Sequence, residues 1–178
     1  MNPINIDYLR QCFREEDGKL TWLQRPRTHF NSDGVFNMWN TTHAGREAGY
    51  TYKDKYGSRC IVGLNGVLMK RSRIVWALHT GAWPTADIDH EDRDSLNDRV
   101  KNLRLATDSQ NLANARKRND NKSGFKGVSW DKKAQRWRAA ICVNQLQIHL
   151  GYFDTAEEGN AAYIKAAVQH FGQFAHGG

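Results

Sequence analysis

One short segment divides this chain into two parts. Residues 116–124 read RKRNDNKSG, a polar and charged run that ends in Ser-Gly and contains no apolar side chain. This composition is typical of a linker, because it offers no face that a helix or strand could bury. A chain of 178 residues that is divided here forms two small domains, each with a modest core. We therefore predict one domain over 1–118 and a second over 119–178.

Glycine and asparagine recur throughout the first domain. Because both residues favour turns, the predicted helices and strands are short. They are a helix ending near Phe13, strands at 20–23 and 60–64, and a helix over 73–79 that Gly81 and Pro84 terminate. Residues 28–49 lack a clear period and predict a long loop. Residues 86–107 read as strand, loop and strand. Thr107 and Gln110 have the spacing of a capping box, which predicts a helix from there to about Lys117.

Alternating side chains predict an antiparallel sheet in the second domain. Its three strands are expected at 125–130, 136–143 and 145–152. Thr155 and Glu158 form another capping-box pattern, which predicts a helix to about His170. Ala162, Tyr163 and Ala166 would form the inner face of that helix. The predicted fold class is therefore α+β.

Positive charge is concentrated in one stretch of the chain. Residues 113–150 contain nine Lys and Arg against two Asp, whereas the rest of the chain has 17 residues of each sign. The net charge of +7 favours a polyanionic partner, although acidic proteins or lipid headgroups would also attract it. No apolar run could span a bilayer, the first residues do not resemble a signal peptide, and the three cysteines form no CxxC pair. We expect no membrane insertion, reduced cysteines, and a protein that stays in the compartment where it is made.

Four polar side chains lie at the ends of the elements predicted over 86–117. Asp89 and His90 close a strand, Asn102 opens the next one, and Asn111 lies in the first turn of the following helix. Hydrolysis of a phosphodiester needs a hard cation with oxygen ligands and a base that works near neutral pH. Asp89 and Asn111 could supply the ligands, and His90 the base, with Asn102 holding the imidazole. Each residue alone has an ordinary structural explanation, so the combination carries the prediction.

The run IDHEDRDSLNDRVKNLRLATDSQN over 88–111 resembles the HNH homing-type endonucleases of phages and introns. Asn102 follows His90 by 12 residues and Asn111 follows it by 21, a spacing that is similar to that family's. The upstream run MKRSRIVWALHTGAWP also resembles the segment before that motif.

This resemblance implies a ββα-metal core over about 86–118 and one divalent metal ion, Mg²⁺ or alternatively Mn²⁺. The implied roles are metal binding by Asp89 and Asn111, proton abstraction by His90, and orientation of His90 by Asn102. The implied reaction is hydrolysis of DNA to a 5′-phosphate and a 3′-hydroxyl. The chain departs from the pattern at two points. Asn97-Asp98-Arg99 replaces the usual Asp-Asn-Arg, and Ser72 stands where relatives often carry His.

The second domain resembles the AP2 DNA-binding domain over 123–175, through SGFKGVSW, RWRAAI and LGYFDTAEEGNAAY. The resemblance implies a three-stranded sheet, packed on one helix, that binds the major groove of double-stranded DNA. Arg138, Ala140 and Cys142 should share the outward face by strand alternation. The candidate DNA contacts are Lys126, Ser129, Trp130, Arg136, Arg138, Gln147 and His149. Because Ala140 and Cys142 offer few base-edge donors, loose sequence reading is expected.

Two other functions fit parts of this sequence. A DNA-binding protein with a decayed HNH fold would retain the basic domain but not the catalysis. An RNA-directed nuclease is disfavoured, because the narrow major groove of A-form RNA excludes side chains. A single HNH motif per chain predicts a monomer that mainly nicks one strand, with a dimer as the alternative. The resemblance implies a cytoplasmic site of action, in a bacterial host during phage infection.

Overall fold

The computed structural model describes residues 4–55, 57–117 and 120–177. They form two compact units, one ending at Leu105 and one beginning at Ala106. Both units combine helices with small sheets, in agreement with the predicted mixture of helices and strands. Among the described helices, none is long and apolar enough to cross a membrane.

The first unit holds three small sheets and three helices among its described residues. Its elements are α1 (Ile6–Cys12), β1 (Phe13–Glu16), β2 (Lys19–Trp22), α2 (Asp33–His43), β3 (Tyr50–Asp54), β4 (Gly57–Leu64), β5 (Val67–Lys70), α3 (Arg71–Thr80), β6 (Asp87–His90) and β7 (Leu103–Ala106), the last of which reaches the unit boundary. Strand β1 pairs with β2, β4 lies between β3 and β5, and β6 pairs with β7.

Helices α1 and α3 close the core of the first unit. Leu9 of α1 and Ile74 of α3 are fully buried and pack with Leu20 and Val62 from two different sheets. Burial of each such side chain stabilises the fold by about 1.5–3 kcal/mol. Helix α3 ends at Gly81 with φ 73°, the left-handed conformation that glycine adopts easily. The predicted α3 is therefore confirmed within one to two residues at each end, and the predicted end of α1 is confirmed within one residue.

The long loop predicted over 28–49 is wrong, because Asp33–His43 forms helix α2. Ser32 caps this helix by accepting a hydrogen bond from the backbone N–H of Val35. Every residue of α2 is at least partly exposed, so the helix shows little apolar periodicity. Trp39 provides its main anchor, through an edge-to-face contact with the Trp22 ring at 4.9 Å. The sequence does contain a signal for this helix, namely the capping Ser32 followed by Phe36 and Trp39 at helical spacing.

The second unit consists of a short helix, a three-stranded antiparallel sheet and a long helix. Its elements are α4 (Asp108–Asn114), β8 (Val128–Asp131), β9 (Arg136–Val143), β10 (Leu146–Phe153) and α5 (Ala156–Phe171). Strand β9 lies between β8 and β10. The three predicted strands are present, although β8 begins at Val128 and not at 125, and both predicted capping boxes, at Thr107 and Thr155, are formed.

Helix α5 covers one face of this sheet. Ala139 and Ile141 of β9 are buried, as is Tyr163 of α5. Close approach depends on two glycines. A Cβ atom at Gly159 would lie 3.3 Å from the Val128 side chain, and one at Gly127 would lie 2.3 Å from the Tyr163 ring. Any side chain at Gly127 would therefore clash with the helix.

Helix α4 belongs to the second unit by its contacts. Ala106 and Ala113 join the apolar cluster around Tyr163 and Phe171. The Nζ atom of Lys126 donates to the carbonyls at the end of α4, namely Leu112 O at 2.6 Å, Ala113 O at 2.7 Å and Ala115 O at 2.8 Å. The compact units divide after Leu105, whereas the linker composition predicts a boundary near Arg118. Arg118 and Asn119 lie outside the described residues.

Candidate active site and nucleic-acid interface

Strand β6 carries the Asp-His pair of the predicted site. Asp89 is buried, with 8% of its surface exposed, and its Oδ2 accepts a hydrogen bond from Arg104 Nε of the neighbouring β7 at 2.9 Å. The Arg104 side chain is itself largely buried. The two strands therefore hold the carboxylate in a charged, partly dehydrated setting, where electrostatic interactions are stronger than in water.

The His90 imidazole is held by a carboxylate that sequence reasoning did not select. Its Nε2 lies 2.8 Å from Asp98 Oδ1, and Asp98 Oδ2 accepts a hydrogen bond from Arg71 Nε at 2.7 Å. The Asp98 side chain is only 2% exposed. The sequence contained one sign of this role, because Asp98 lies in the run Asn97-Asp98-Arg99, where this chain departs from the usual Asp-Asn-Arg of the family.

Arg71 supports this carboxylate from the start of α3. Its other two guanidinium nitrogens donate to Glu47 Oε1 at 3.1 Å and to Leu96 O at 3.0 Å. Burial would lower the pKa of Arg71, but the hydrogen bond with Asp98, together with the charges of neighbouring groups that include Asp98 and Glu47, raises it above its usual value. Arg71 therefore stays charged, and removing one partner of such a buried pair costs about 3–5 kcal/mol.

Asn102 braces the loop between β6 and β7. Its Nδ2 donates to Asp92 Oδ1 at 2.9 Å and to Asn97 O at 2.7 Å, and its Oδ1 accepts from the Asp92 N–H at 3.0 Å. Burial would raise the pKa of Asp92, but hydrogen bonds from the Asp94 backbone, Asn97 and Asn102 lower it below its usual value. These contacts fix the loop that carries Asp98. That Asn102 also orients His90 stays a prediction.

The turn between β1 and β2 also holds the loop between β6 and β7. Arg99 forms a two-pronged ion pair with Asp17, with Nε–Oδ1 at 2.5 Å and Nη2–Oδ2 at 2.6 Å. Gly18 follows with φ 83°, and a Cβ there would lie 2.4 Å from the Arg99 backbone nitrogen. The loop between β6 and β7 is therefore fixed by residues that lie far away in the chain.

Asn111, the second expected metal ligand, lies on α4 of the second unit and is half-buried. The Thr107 and Gln110 capping box fixes the start of this helix. Lys126 caps its end, and Ser109 Oγ accepts a hydrogen bond from the Asn144 N–H at 2.8 Å. Within the described part of the chain, no three His, Cys, Asp or Glu side chains group as a metal site. The metal-binding roles of Asp89 and Asn111 stay predictions.

One face of the second sheet carries most of the predicted DNA contacts. Cross-strand pairing places Ser129 beside Arg138, Arg138 beside Tyr152, and Ala140 beside His149. Arg138 Nη2 donates to Gln147 Oε1 at 2.9 Å, and Arg136 pairs with Asp154 at 2.8 Å. This outward face, defined by Ser129, Arg136, Arg138, Gln147, His149 and Tyr152, lies opposite the face that α5 covers. Sequence reasoning missed Tyr152, which is 40% exposed and contacts the His149 ring.

Two of the predicted DNA contacts, Trp130 and Lys126, do not lie on the outward face. Trp130 pairs with Trp137 in register, and their rings meet edge to face at 5.3 Å on the other side of the sheet. The Lys126 ammonium donates hydrogen bonds to the backbone carbonyls at the end of α4. Whether either residue also touches DNA stays a prediction.

Comparison with known proteins gives a family match over the site. A model of the HNH endonuclease family matches residues 70–113. Protein 3.8 of Escherichia phage T7 is 36% identical over 102 residues, which cover 57% of this chain and 84% of that protein. An uncharacterized HNH endonuclease, L560, of Acanthamoeba polyphaga mimivirus is 32% identical over 88 residues, or 49% of this chain and 44% of that protein. No solved structure matches the chain significantly. The chain therefore belongs to the same family as Protein 3.8 of phage T7, and its residues 70–113 form an HNH endonuclease domain.

Proposed function

We propose that this protein is a metal-dependent endonuclease that hydrolyses DNA. The observation that carries the proposal is the Asp89-His90 pair at the end of β6, inside the HNH match at 70–113. His90 is the general base, since its imidazole is held in place by Asp98 and it directly follows the buried Asp89 in the chain. It accepts a proton from the water that attacks the phosphorus atom, and the 3′ oxygen leaves and takes a proton from solvent to become the 3′-hydroxyl.

Asp89 and Asn111 are the proposed ligands of one Mg²⁺ ion, with Mn²⁺ as an alternative. A carboxylate and an amide carbonyl suit a hard cation, and Mg²⁺ usually keeps several waters or phosphate oxygens alongside one or two protein ligands. The donor set of this chain therefore fits Mg²⁺. When bound, the ion would offset negative charge on the scissile phosphate and the leaving oxygen.

The second unit is the proposed DNA-holding domain, with an AP2-like arrangement. Its outward face combines two guanidinium groups with the neutral polar side chains of Ser129, Gln147 and Tyr152, and it is free of the helix that covers the other face. Such a face can lie in the major groove of B-form DNA, where guanidinium and amide groups reach phosphates and base edges. Lys126 and Trp130 are weaker candidates, because the Lys126 ammonium binds the end of α4 and the Trp130 ring lies on the other side of the sheet, against Trp137.

Cleavage of supercoiled plasmid tests this proposal. We expect the protein to cut DNA with Mg²⁺ and not with EDTA, and to leave structured RNA intact. His90→Ala should abolish cleavage while DNA affinity stays nearly unchanged, because binding depends on the basic sheet. His79→Ala, a histidine outside the HNH motif's catalytic positions, is the matched control and should cut. Binding without cleavage by the parent protein would favour the decayed nuclease, and cleavage of RNA alone would favour the RNA-directed enzyme.

We further propose that the protein acts as a monomer and mainly nicks one strand, in the cytoplasm of an infected bacterium. One HNH domain per chain acts on one phosphate at a time. Open circles should therefore accumulate before linear molecules when enzyme is limiting. Linear product without an open-circle stage, together with a dimer mass in solution, would contradict the monomer.

A further inference from the structure

The loop between β6 and β7 places a buried acid against the proposed general base. Asp98 uses both carboxylate oxygens, Oδ1 for His90 Nε2 at 2.8 Å and Oδ2 for Arg71 Nε at 2.7 Å. An ionised carboxylate only accepts hydrogen bonds, so the hydrogen in the His90 contact must lie on Nε2. A neutral imidazole has one N–H group, and its lone pair then lies on Nδ1.

We infer that Asp98 is a positioning residue that sets the tautomer of His90, so that Nδ1 is the atom that takes the proton from water. This inference rests on the proposed function of the site. Asp98 does not touch the reacting atoms in this role. It acts through His90, much as an orienting carboxylate selects the tautomer of a catalytic histidine in other hydrolases.

The acid can set the tautomer because its own position is fixed. The guanidinium of Arg71 is buried and also bound by Glu47 and by Leu96 O. The backbone of Asp98 lies against Gly18, where a Cβ would come within 2.5 Å of the Asp98 carbonyl carbon. A side chain held from two directions cannot turn away from His90 without breaking buried contacts, which is the support that a preorganised site needs.

Arg71 makes the inference testable with one nearly isosteric substitution. In Asp98→Asn, only the amide oxygen can accept the hydrogen bond from Arg71, because a guanidinium has no acceptor. The amide NH₂ group must then face His90 Nε2 and donate to it. The substitution should therefore move the imidazole hydrogen from Nε2 to Nδ1, while the side chain keeps its size and its contact with Arg71.

Long-range ¹H–¹⁵N spectra of full-length, histidine-labelled protein report this tautomer without DNA or metal. His90→Ala identifies the His90 signals by their loss. We expect Nε2–H in the parent protein and Nδ1–H in Asp98→Asn. Asp92→Asn is the matched control, because it disturbs the same loop through Asn97 and Asn102 and should leave Nε2–H in place. Nδ1–H in the parent protein, or an unchanged tautomer in Asp98→Asn, would overturn the inference, and the first result does not depend on whether Asp98→Asn folds.

Steady-state cleavage with Mg²⁺ supplies the second measurement. Because general-base catalysis contributes about 10²- to 10⁴-fold, Asp98→Asn should lower kcat by about that factor and leave KM within about twofold. A merely structural role would instead reduce the fraction of folded protein and leave kcat per folded molecule unchanged. If the parent protein cuts DNA but Asp98→Asn has the same kcat, only the inference fails. If the parent protein never cuts DNA, the proposed function fails and the inference fails with it.

Discussion

Removing one charge from the outward face of the second sheet should change how DNA affinity depends on salt. Arg138 is the informative position, because its guanidinium hydrogen-bonds to the neutral Gln147 and only lies near the charge of Asp131, whereas Arg136 forms an ion pair with Asp154. Each phosphate contact contributes about 0.9 to the slope of log affinity against log salt. Arg138→Gln should therefore lower the slope by about 0.9. Between about 50 and about 200 mM salt, the parent protein should lose about 3.5-fold more affinity than the variant.

Fluorescence anisotropy with a labelled duplex in EDTA measures this slope without cleavage. Lys165→Gln is the matched control, because Lys165 carries the same charge but lies on the exposed side of α5, away from the outward face. We expect its slope to equal that of the parent protein. Equal slopes for Arg138→Gln and Lys165→Gln would refute the assignment of the outward face to DNA.

Other consequences of the structure can be checked separately. Lys126→Met should speed hydrogen exchange of the amides in α4, because it removes the ammonium that caps Leu112, Ala113 and Ala115; unchanged exchange would contradict that anchoring. A fragment ending at Arg118 should cut DNA poorly, because it lacks both the basic sheet and the partners of α4; cleavage at the parent rate would show that neither is needed. Maleimide at pH 8 should label the exposed Cys142 first, since Cys12 is buried and burial raises its pKa to about 11; early labelling of Cys12 would contradict its burial. The loop at 91–102 should loosen in acid, because the pKa of Asp92 is lowered in the folded protein, so its stabilisation is complete above the unfolded pKa and is lost as pH falls through the folded pKa. Protection factors against amide exchange in that loop that are equal at pH 6 and pH 3 would contradict this account.

Local patterns determined much of the second unit. Strand β9 spans the predicted range 136–143, because alternation and turn residues act between neighbours in the chain. The capping boxes at Thr107 and Thr155 were predictable for the same reason, since their hydrogen bonds join residues three positions apart. The motif likewise identified Asp89 and His90 as a pair at the end of a strand. The catalytic and metal-binding roles of these residues are not contained in such patterns and await the experiments above.

Tertiary contacts decided what local patterns could not. Helix α2 is held by Trp39 against Trp22 and not by an apolar stripe, so its sequence lacks a clear period. No local pattern pairs Asp98 with His90, because its partners Arg71 and His90 lie 27 and 8 residues away. A buried charge is stable only where the folded chain brings hydrogen-bond partners to it. The chain alone therefore identified the proposed base, and only the fold determined which acid holds it.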